Sequence, residues 1–195
     1  MTTTLDRTIW ITFHSLSWLN PKKWNAEIDN QQPIEIAYLN SPVGWLKISG
    51  NGSFLYRIEY EDDYSAQKEI IPTELSRICT QLDEYFKGFR KEFDLNLKPH
   101  GTDFQLRVWD EVTKIQYGKV NTYLDLAIQL GDKGSLRAVG GANGSNPIPI
   151  VIPCHRVIGA GGKLVGYTGG LWRKEWLLKN EGFKFSADPD QLDLF

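Results

Sequence analysis

Cysteine, histidine and methionine are all scarce in this chain of 195 residues, which holds two cysteines, three histidines and one methionine. Two cysteines cannot build a disulfide framework, so a reduced setting, the cytoplasm, is expected. Cys79, Cys154, His14, His100 and His155 match no common zinc spacing, and neither a metal nor a cofactor is expected. Long apolar runs are missing as well, and no stretch approaches the roughly 20 residues that cross a membrane. The opening residues, where Asp6, His14 and serines interrupt ITFHSLSWL, do not read as a signal peptide. Nor is there a strong excess of one charge, the net figure being −2. That average hides an asymmetry. Residues 101–184 carry 11 Lys and Arg against 7 Asp and Glu, a net +4, which leaves −6 for the remainder. A basic second half permits a nucleic-acid face, although chance imbalance in solvated charge gives the same figure.

What is present divides the chain into four stretches. Residues 1–33 scatter Trp10, Trp18 and Trp24 without a period and are set apart as an extension of unassigned role. From residue 34 the pattern sharpens. IEIAYL, WLKIS and FLYRIEY alternate apolar and polar residues between SPVG and NGS turns, which predicts an antiparallel meander. TELSRICTQLDEYFKGF then sets Leu75, Ile78, Cys79, Leu82, Tyr85 and Phe86 at helical spacing, with Thr73 as cap. Cys79 lies on that apolar stripe and reads as core. EFDLNL reads as one more short strand. Residues 34–98 are therefore a small α/β domain.

Residues 101–184 read as a second, mostly helical domain. TDFQLRVWDEV is a helix capped by Thr102 or Asp103, and YLDLAIQLG is one capped by Asn121 or Thr122. DKGSLRAVGGANG adds a short helix with small residues on one side. Two short helices joined by a Gly/Asp turn are the pattern of a helix-turn-helix, and also a common way to pack three helices. In LWRKEWLLKN, Leu171, Trp172, Trp176 and Leu177 are expected to face inward. Residues 185–195 form a tail.

The centre of the second domain is residues 146–157, NPIPIVIPCHRV. Its prolines disfavour helix and predict a buried, extended rail ending at Cys154. A cysteine held rigidly there suits a nucleophile, and equally an inert core thiol.

Several stretches together resemble the O6-alkylguanine-DNA alkyltransferases: QLDEYFKGFR, GTDFQLRVWDEV, YGKVNTY, RAVGGANGSNPIPIVIPCHRVIG and GYTGGLWRKEWLLKNEG. They occur in the family's order and cover roughly residues 34–184. The resemblance implies an α+β protein: a ribonuclease-H-like N-terminal domain of antiparallel strands and a helix, then a winged helix-turn-helix-like domain carrying the active cysteine. It implies a single-turnover reaction in which alkyl from guanine O6, or thymine O4, moves irreversibly to Cys154.

The resemblance also assigns roles. His155 is the base that polarises Cys154 through a water, and Glu181 orients His155. Tyr123 donates to guanine N3 as the base leaves. Thr168 meets O6, and Tyr167 walls the pocket. Carbonyls near Cys154 and Val157 receive the guanine amino group. Asn146 is the hinge between the recognition helix and the cysteine segment. Arg137 fills the stack vacated by the flipped base, while Ala138, Gly140 and Ala142 allow close approach in the minor groove and Arg156 joins the DNA-contacting set. Apart from the family, His155 reads as a satisfied core histidine, Glu181 as a helix-end carboxylate, Tyr123 as a core aromatic and Arg137 as a solvated charge.

The tail is a separate signal. Gln191, Leu192, Asp193, Leu194 and Phe195 resemble the pentapeptide by which bacterial repair and replication proteins bind the sliding clamp. Taken together, the expectation is a monomer acting on duplex DNA, with no membrane partner. The rival readings are a lesion sensor that binds without transfer and a thiol hydrolase built on Cys154, His155 and Glu181.

Overall fold

The alternation of apolar and polar residues after residue 34 does produce strands. The computed structural model describes residues 33–63 and 69–185. In it β1 (Glu35–Ser41), β2 (Gly44–Gly50) and β3 (Leu55–Tyr60) form an antiparallel sheet in the order β1-β2-β3. The register pairs Leu39 with Leu46 and Ile48 with Ile58, so one face of the sheet is apolar and buried. Helix α1 (Ser76–Phe86) covers that face with Ile78, Cys79, Leu82, Tyr85 and Phe86. Cys79 is core, and burial pushes its thiol up to about 12. Thr73 does not cap α1; it opens a single 3-10 turn ahead of the helix, with no side-chain cap bond at either start.

EFDLNL is not a full strand. Leu97 bridges Leu55 at one point, where the Leu55 N–H and C=O bond Asn96 O and Lys98 N at 2.9 Å each. Further back the Gln81 side chain takes the Asp94 backbone, donating to its carbonyl at 3.0 Å and accepting from its N–H at 2.9 Å. A side chain has replaced the ladder there.

The second half is helical because its caps are strong. Thr102 and Gln105 form a reciprocal capping box on α2 (Asp103–Thr113), and Thr122 and Asp125 do the same on α3 (Tyr123–Gln129). Each such cap is worth about 1 kcal/mol. Gly131, at φ +85, turns the chain between α3 and α4 (Leu136–Gly144). Helices α2, α3 and α4 pack together through Leu106, Val108, Trp109, Leu126 and Val139. β4 (Asn121–Thr122) pairs in parallel with β5 (Val157–Ile158), which sets the start of α3 beside the cysteine segment.

Helix α5 (Leu171–Asn180) is rotated from the expected face. It buries Arg173, Lys174, Leu177 and Leu178, and leaves Trp172 exposed. The two cations are buried because they bond backbone carbonyls, a reason that hydrophobic spacing does not carry. The buried apolar residues of both halves form one continuous core. The fold is α+β.

Candidate active site

The approach to Cys154 is buried, but it is not the extended rail that the prolines suggest. The Ile152 N–H reaches back to Ile148 O at 2.9 Å, and Ile150 sits at φ +76. Among the described residues no other non-glycine has a positive φ. For a β-branched residue this costs on the order of 1–3 kcal/mol. Two features offset the strain. Ile148, Ile150 and Ile152 are all fully buried. Asn146 clamps both ends of the turn, accepting from Ile148 N at 3.0 Å and donating to Ile152 O at 2.8 Å. The chain then enters a single 3-10 turn, Cys154–Arg156, and β5.

This turn delivers two side chains, His155 and Arg156, into one buried network. Glu181, just past α5, is its centre. Its Oε1 accepts from His155 Nε2 at 2.8 Å, Tyr85 Oη at 2.8 Å and Arg156 Nη2 at 2.9 Å. Its Oε2 accepts from Arg156 Nε at 2.9 Å and Gly118 N at 3.1 Å. Burial alone would raise the Glu181 carboxyl, but His155 and Arg156 hold it down to about 2. It is therefore ionised at neutral pH and accepts only, so His155 Nε2 carries a proton. Burial holds the His155 pKa below its ordinary value, against the pull of Glu181. The ring is thus neutral, and Nδ1, which has no hydrogen-bond partner, presents a basic lone pair. Burial raises the Cys154 thiol, while Asn146, Lys174 and Tyr167 pull it back. The result is a protonated thiol and a neutral imidazole on successive residues.

Arg156 is placed differently from the expected DNA contact. Its guanidinium is buried, grips Glu181 with two nitrogens and donates to Ile115 O at 2.6 Å. Val157 is also fully buried, and its carbonyl receives Lys174 Nζ at 2.6 Å.

Cys154 opens onto a cavity of about 330 Å³. Asn146, Tyr167 and Thr168 line it from the second half, and Ile58 and Tyr60 from β3. The Thr168 hydroxyl donates to Gly144 O at 2.5 Å, tying the pocket loop to the end of α4. Tyr123 begins α3 outside this lining. A Cβ added at Gly140 or Gly166 would touch its ring or hydroxyl at 3.9 and 4.0 Å, so both glycines keep it company.

On α4, Arg137 and Ala138 are exposed and Gly140 is half-buried. Arg137 has no acidic partner among the described residues within ion-pair reach. Ala142 departs from expectation: it is buried against α2, and its carbonyl receives Trp109 Nε1 at 2.7 Å. No cluster of three or more His, Cys, Asp or Glu among the described residues is disposed to hold a metal ion. No described helix is long and apolar enough to cross a membrane. Residues 191–195, like 1–32, lie outside the described residues.

Two family models match the chain. The 6-O-methylguanine DNA methyltransferase ribonuclease-like domain matches residues 34–99, and the DNA binding domain of the same protein matches residues 103–183. A curated Mycobacterium tuberculosis relative, a methylated-DNA--protein-cysteine methyltransferase, is 46% identical over 164 residues, covering 82% of this chain and 99% of its own. The chain belongs to the 6-O-methylguanine DNA methyltransferase family. A relative of the same description from Salmonella typhimurium is 42% identical over 142 residues, or 72% of this chain and 82% of its own. The crystal structure of Mycobacterium tuberculosis O6-methylguanine methyltransferase superposes with a TM-score of 0.68 at 42% identity, covering 83% of this chain and all of that one. The same organism's OGT in complex with DNA gives a TM-score of 0.67 at 46% identity over 74% of this chain and 90% of that one.

Within this 6-O-methylguanine DNA methyltransferase fold, several polar residues at the site carried no sequence signal of their own. Tyr85 sits on an ordinary apolar stripe, yet its hydroxyl feeds Glu181. Gly118 was legible as a turn glycine, but not as a donor; a Cβ there would lie 2.9 Å from Glu181 O. Lys174 is fully buried and donates to Val157 O and Val165 O at 2.6 and 2.8 Å. Arg173 reaches Val43 O at 2.7 Å across the two halves. Asn143 donates to Cys154 O at 3.3 Å.

Proposed function

We propose that this protein repairs duplex DNA by taking the alkyl group of O6-alkylguanine, and of O4-alkylthymine, onto Cys154, once per molecule. The observation that carries the proposal is Cys154 at a cavity, adjoining a neutral His155 whose Nε2 is held by ionised Glu181 and whose Nδ1 is free. Displacement at a saturated carbon needs a soft nucleophile, and thiolate is the best a protein has. His155 takes the Cys154 proton through a bridging water. The sulfur–carbon bond forms as the carbon–O6 bond breaks, and the electron pair stays on guanine. Tyr123 gives the leaving ring a proton at N3 and regains one from His155 through solvent. The product is a thioether and a restored guanine. With nothing to cleave the thioether, the reaction ends there.

The target atom is out of reach inside a duplex, so the lesion is flipped. Arg137, exposed at the start of α4, fills the vacated stack. Ala138 and Gly140 let α4 sit in the minor groove, and Thr168 and Tyr167 receive the base. Asn146 holds α4 and the cysteine turn in one unit. Residues 34–98 and 101–184 act as the two domains of a monomer in the cytoplasm. We infer further that residues 185–195 are a tethered hook, with Gln191 setting register and Leu192, Leu194 and Phe195 entering apolar pockets of the sliding clamp. Deleting residues 191–195 should abolish pull-down by purified clamp and leave repair of naked duplex unchanged.

The main test is digestion of a duplex carrying one O6-methylguanine after incubation with limiting protein. Guanine should be regained in a molar amount equal to the protein, and Cys154→Ala should bind the lesion while restoring none. Repeated turnover, or binding without restoration by the native protein, would overturn the proposal.

A further inference from the structure

We propose that Tyr60, carried on β3 in the first half of the chain, is a positioning residue for alkyl transfer: its hydroxyl donates to Tyr167 and thereby turns the Tyr167 proton toward Cys154. The inference rests on Cys154 being the alkyl acceptor.

The Tyr60 and Tyr167 oxygens are 2.8 Å apart, and both side chains line the cavity that holds Cys154. Either hydroxyl can be the donor in an isolated pair. The neighbours decide the direction. Each phenol has one proton, and a thiolate can only accept. The hydroxyl that faces the sulfur must therefore spend its proton there. Tyr167 is that hydroxyl: it lines the cavity onto which Cys154 opens, and of the two phenols it is the one whose side chain draws the thiol down against burial. Its oxygen is left as an acceptor, and Tyr60 supplies the donor. Burial keeps both phenols well above their ordinary range, so both stay protonated while the sulfur loses its proton.

The second half is built to hold Tyr60 in this place. The Arg173 guanidinium lies 4.5 Å from the centre of the Tyr60 ring. It is fixed there by donating to Val43 O at 2.7 Å, to Gly169 O at 2.6 Å and to Asp62. A cation over the ring makes the Tyr60 hydroxyl the better donor of the two. The Tyr60 ring also lies on the backbone of Gly169, where an added Cβ would come within 2.4 Å of it. Two residues earlier the Ile58 N–H donates to Pro147 O at 2.9 Å, so β3 bonds the cysteine loop directly. β3 is thus a wall of the pocket, and the sheet sets the geometry of a reaction performed in the other half.

The test compares the native protein with Tyr60→Phe, Tyr167→Phe and the double variant, each with protein in excess over a duplex carrying one O6-methylguanine. Duplex affinity, the first-order transfer rate and the melting temperature are measured for each. Tyr60→Phe keeps the ring on Gly169 and under Arg173. Its transfer rate should fall roughly five-fold, the loss of one ordinary hydrogen bond, with affinity unchanged and the melting temperature lowered by no more than a few degrees. Tyr167→Phe should be slower still, and adding Tyr60→Phe to it should cost nothing more. A Tyr60→Phe protein that transfers at the native rate overturns the inference. So do effects of the two substitutions that multiply, or an affinity that falls in step with the rate, which would mark a merely structural role. A native protein that takes up no methyl group overturns the alkyl-acceptor reading itself, an outcome distinct from all of these.

Discussion

Of the charged side chains buried around the cysteine turn, Glu181 and Lys174 are handled by the fold in opposite ways. Glu181 is surrounded by donors and by a countercharge: His155, Tyr85, Gly118 and both edges of Arg156. Among the described residues Lys174 has no carboxylate partner, and its ammonium is satisfied by the carbonyls of Val157, Val165 and Gly166. The carboxyl is accordingly held down to about 2, fully charged, while burial brings the lysine down to about 8. The first arrangement fixes a charge and uses it to orient the His155 ring. The second leaves a cation poorly compensated, and what it fixes is the backbone, joining β5 to the loop that carries Tyr167 and Thr168. A buried charge with full partners is a rigid electrostatic part, whereas one bonded only to carbonyls is a fastener.

The sharpest way to break the comparison is Glu181→Ala. It leaves Arg156 buried without its countercharge and His155 without its orienter. Removing one member of a buried pair costs about 3–5 kcal/mol. Thermal unfolding should show a melting temperature lower by roughly 10 °C, and transfer should be lost. An intact melting temperature would mean that Arg156 finds another partner.

Acid titration separates the two charges next. Glu181 contributes stability above its ordinary 4.5, and that contribution fades as pH falls toward about 2. His155, held below its ordinary 6.5, acts in the same direction, because the unfolded chain binds its proton first. Urea unfolding from pH 7 downward should therefore show falling stability, and Glu181→Gln should flatten the part below about pH 4.5. Lys174 keeps its charge throughout that range, so Lys174→Met should leave the acid slope as it was.

Lys174→Met should itself cost less than Glu181→Ala, about 1–3 kcal/mol in the same unfolding experiment. It strands carbonyls but also relieves a buried cation. Its larger effect should be on the pocket loop, read as faster amide exchange at residues 163–168. The smallest stability effect is expected at an exposed charge. Arg137→Ala on α4 should leave the melting temperature unchanged while weakening binding of a lesion-bearing duplex roughly tenfold, since part of the few kcal/mol of unstacking, about 1.4 kcal/mol, then goes uncompensated. A fall in melting temperature would place Arg137 in the fold instead.

The same contrast marks what could be read from the sequence. The sheet, α1 and the two capped helices were legible because alternation, helical spacing and Thr caps are local signals. Cys154, His155 and Glu181 were legible through the family resemblance, and the structure brings His155 and Glu181 into contact across 26 residues. The cysteine approach was misread as extended because proline forbids helix without saying what replaces it. Only the Asn146 clamp, which spans both ends, bends it. Arg156 was expected at DNA, and nothing in the sequence marked Arg173 and Lys174 as buried, because charge normally points to solvent. Their partners are backbone carbonyls and two carboxylates, Glu181 and Asp62, and no spacing rule encodes these. Tyr60 and Tyr85 were hidden for the same reason: each sits on an ordinary strand or helix and matters through one hydroxyl.

The central claim is that Cys154 is the final resting place of the alkyl group. Intact-protein and peptide mass spectrometry after mixing with a duplex carrying one O6-methylguanine tests it most directly. The account predicts a gain of one methyl per protein, confined to the peptide holding Cys154 and saturating there. A methyl on Cys79 or elsewhere, or lesion-dependent binding with no gain in mass, would contradict it.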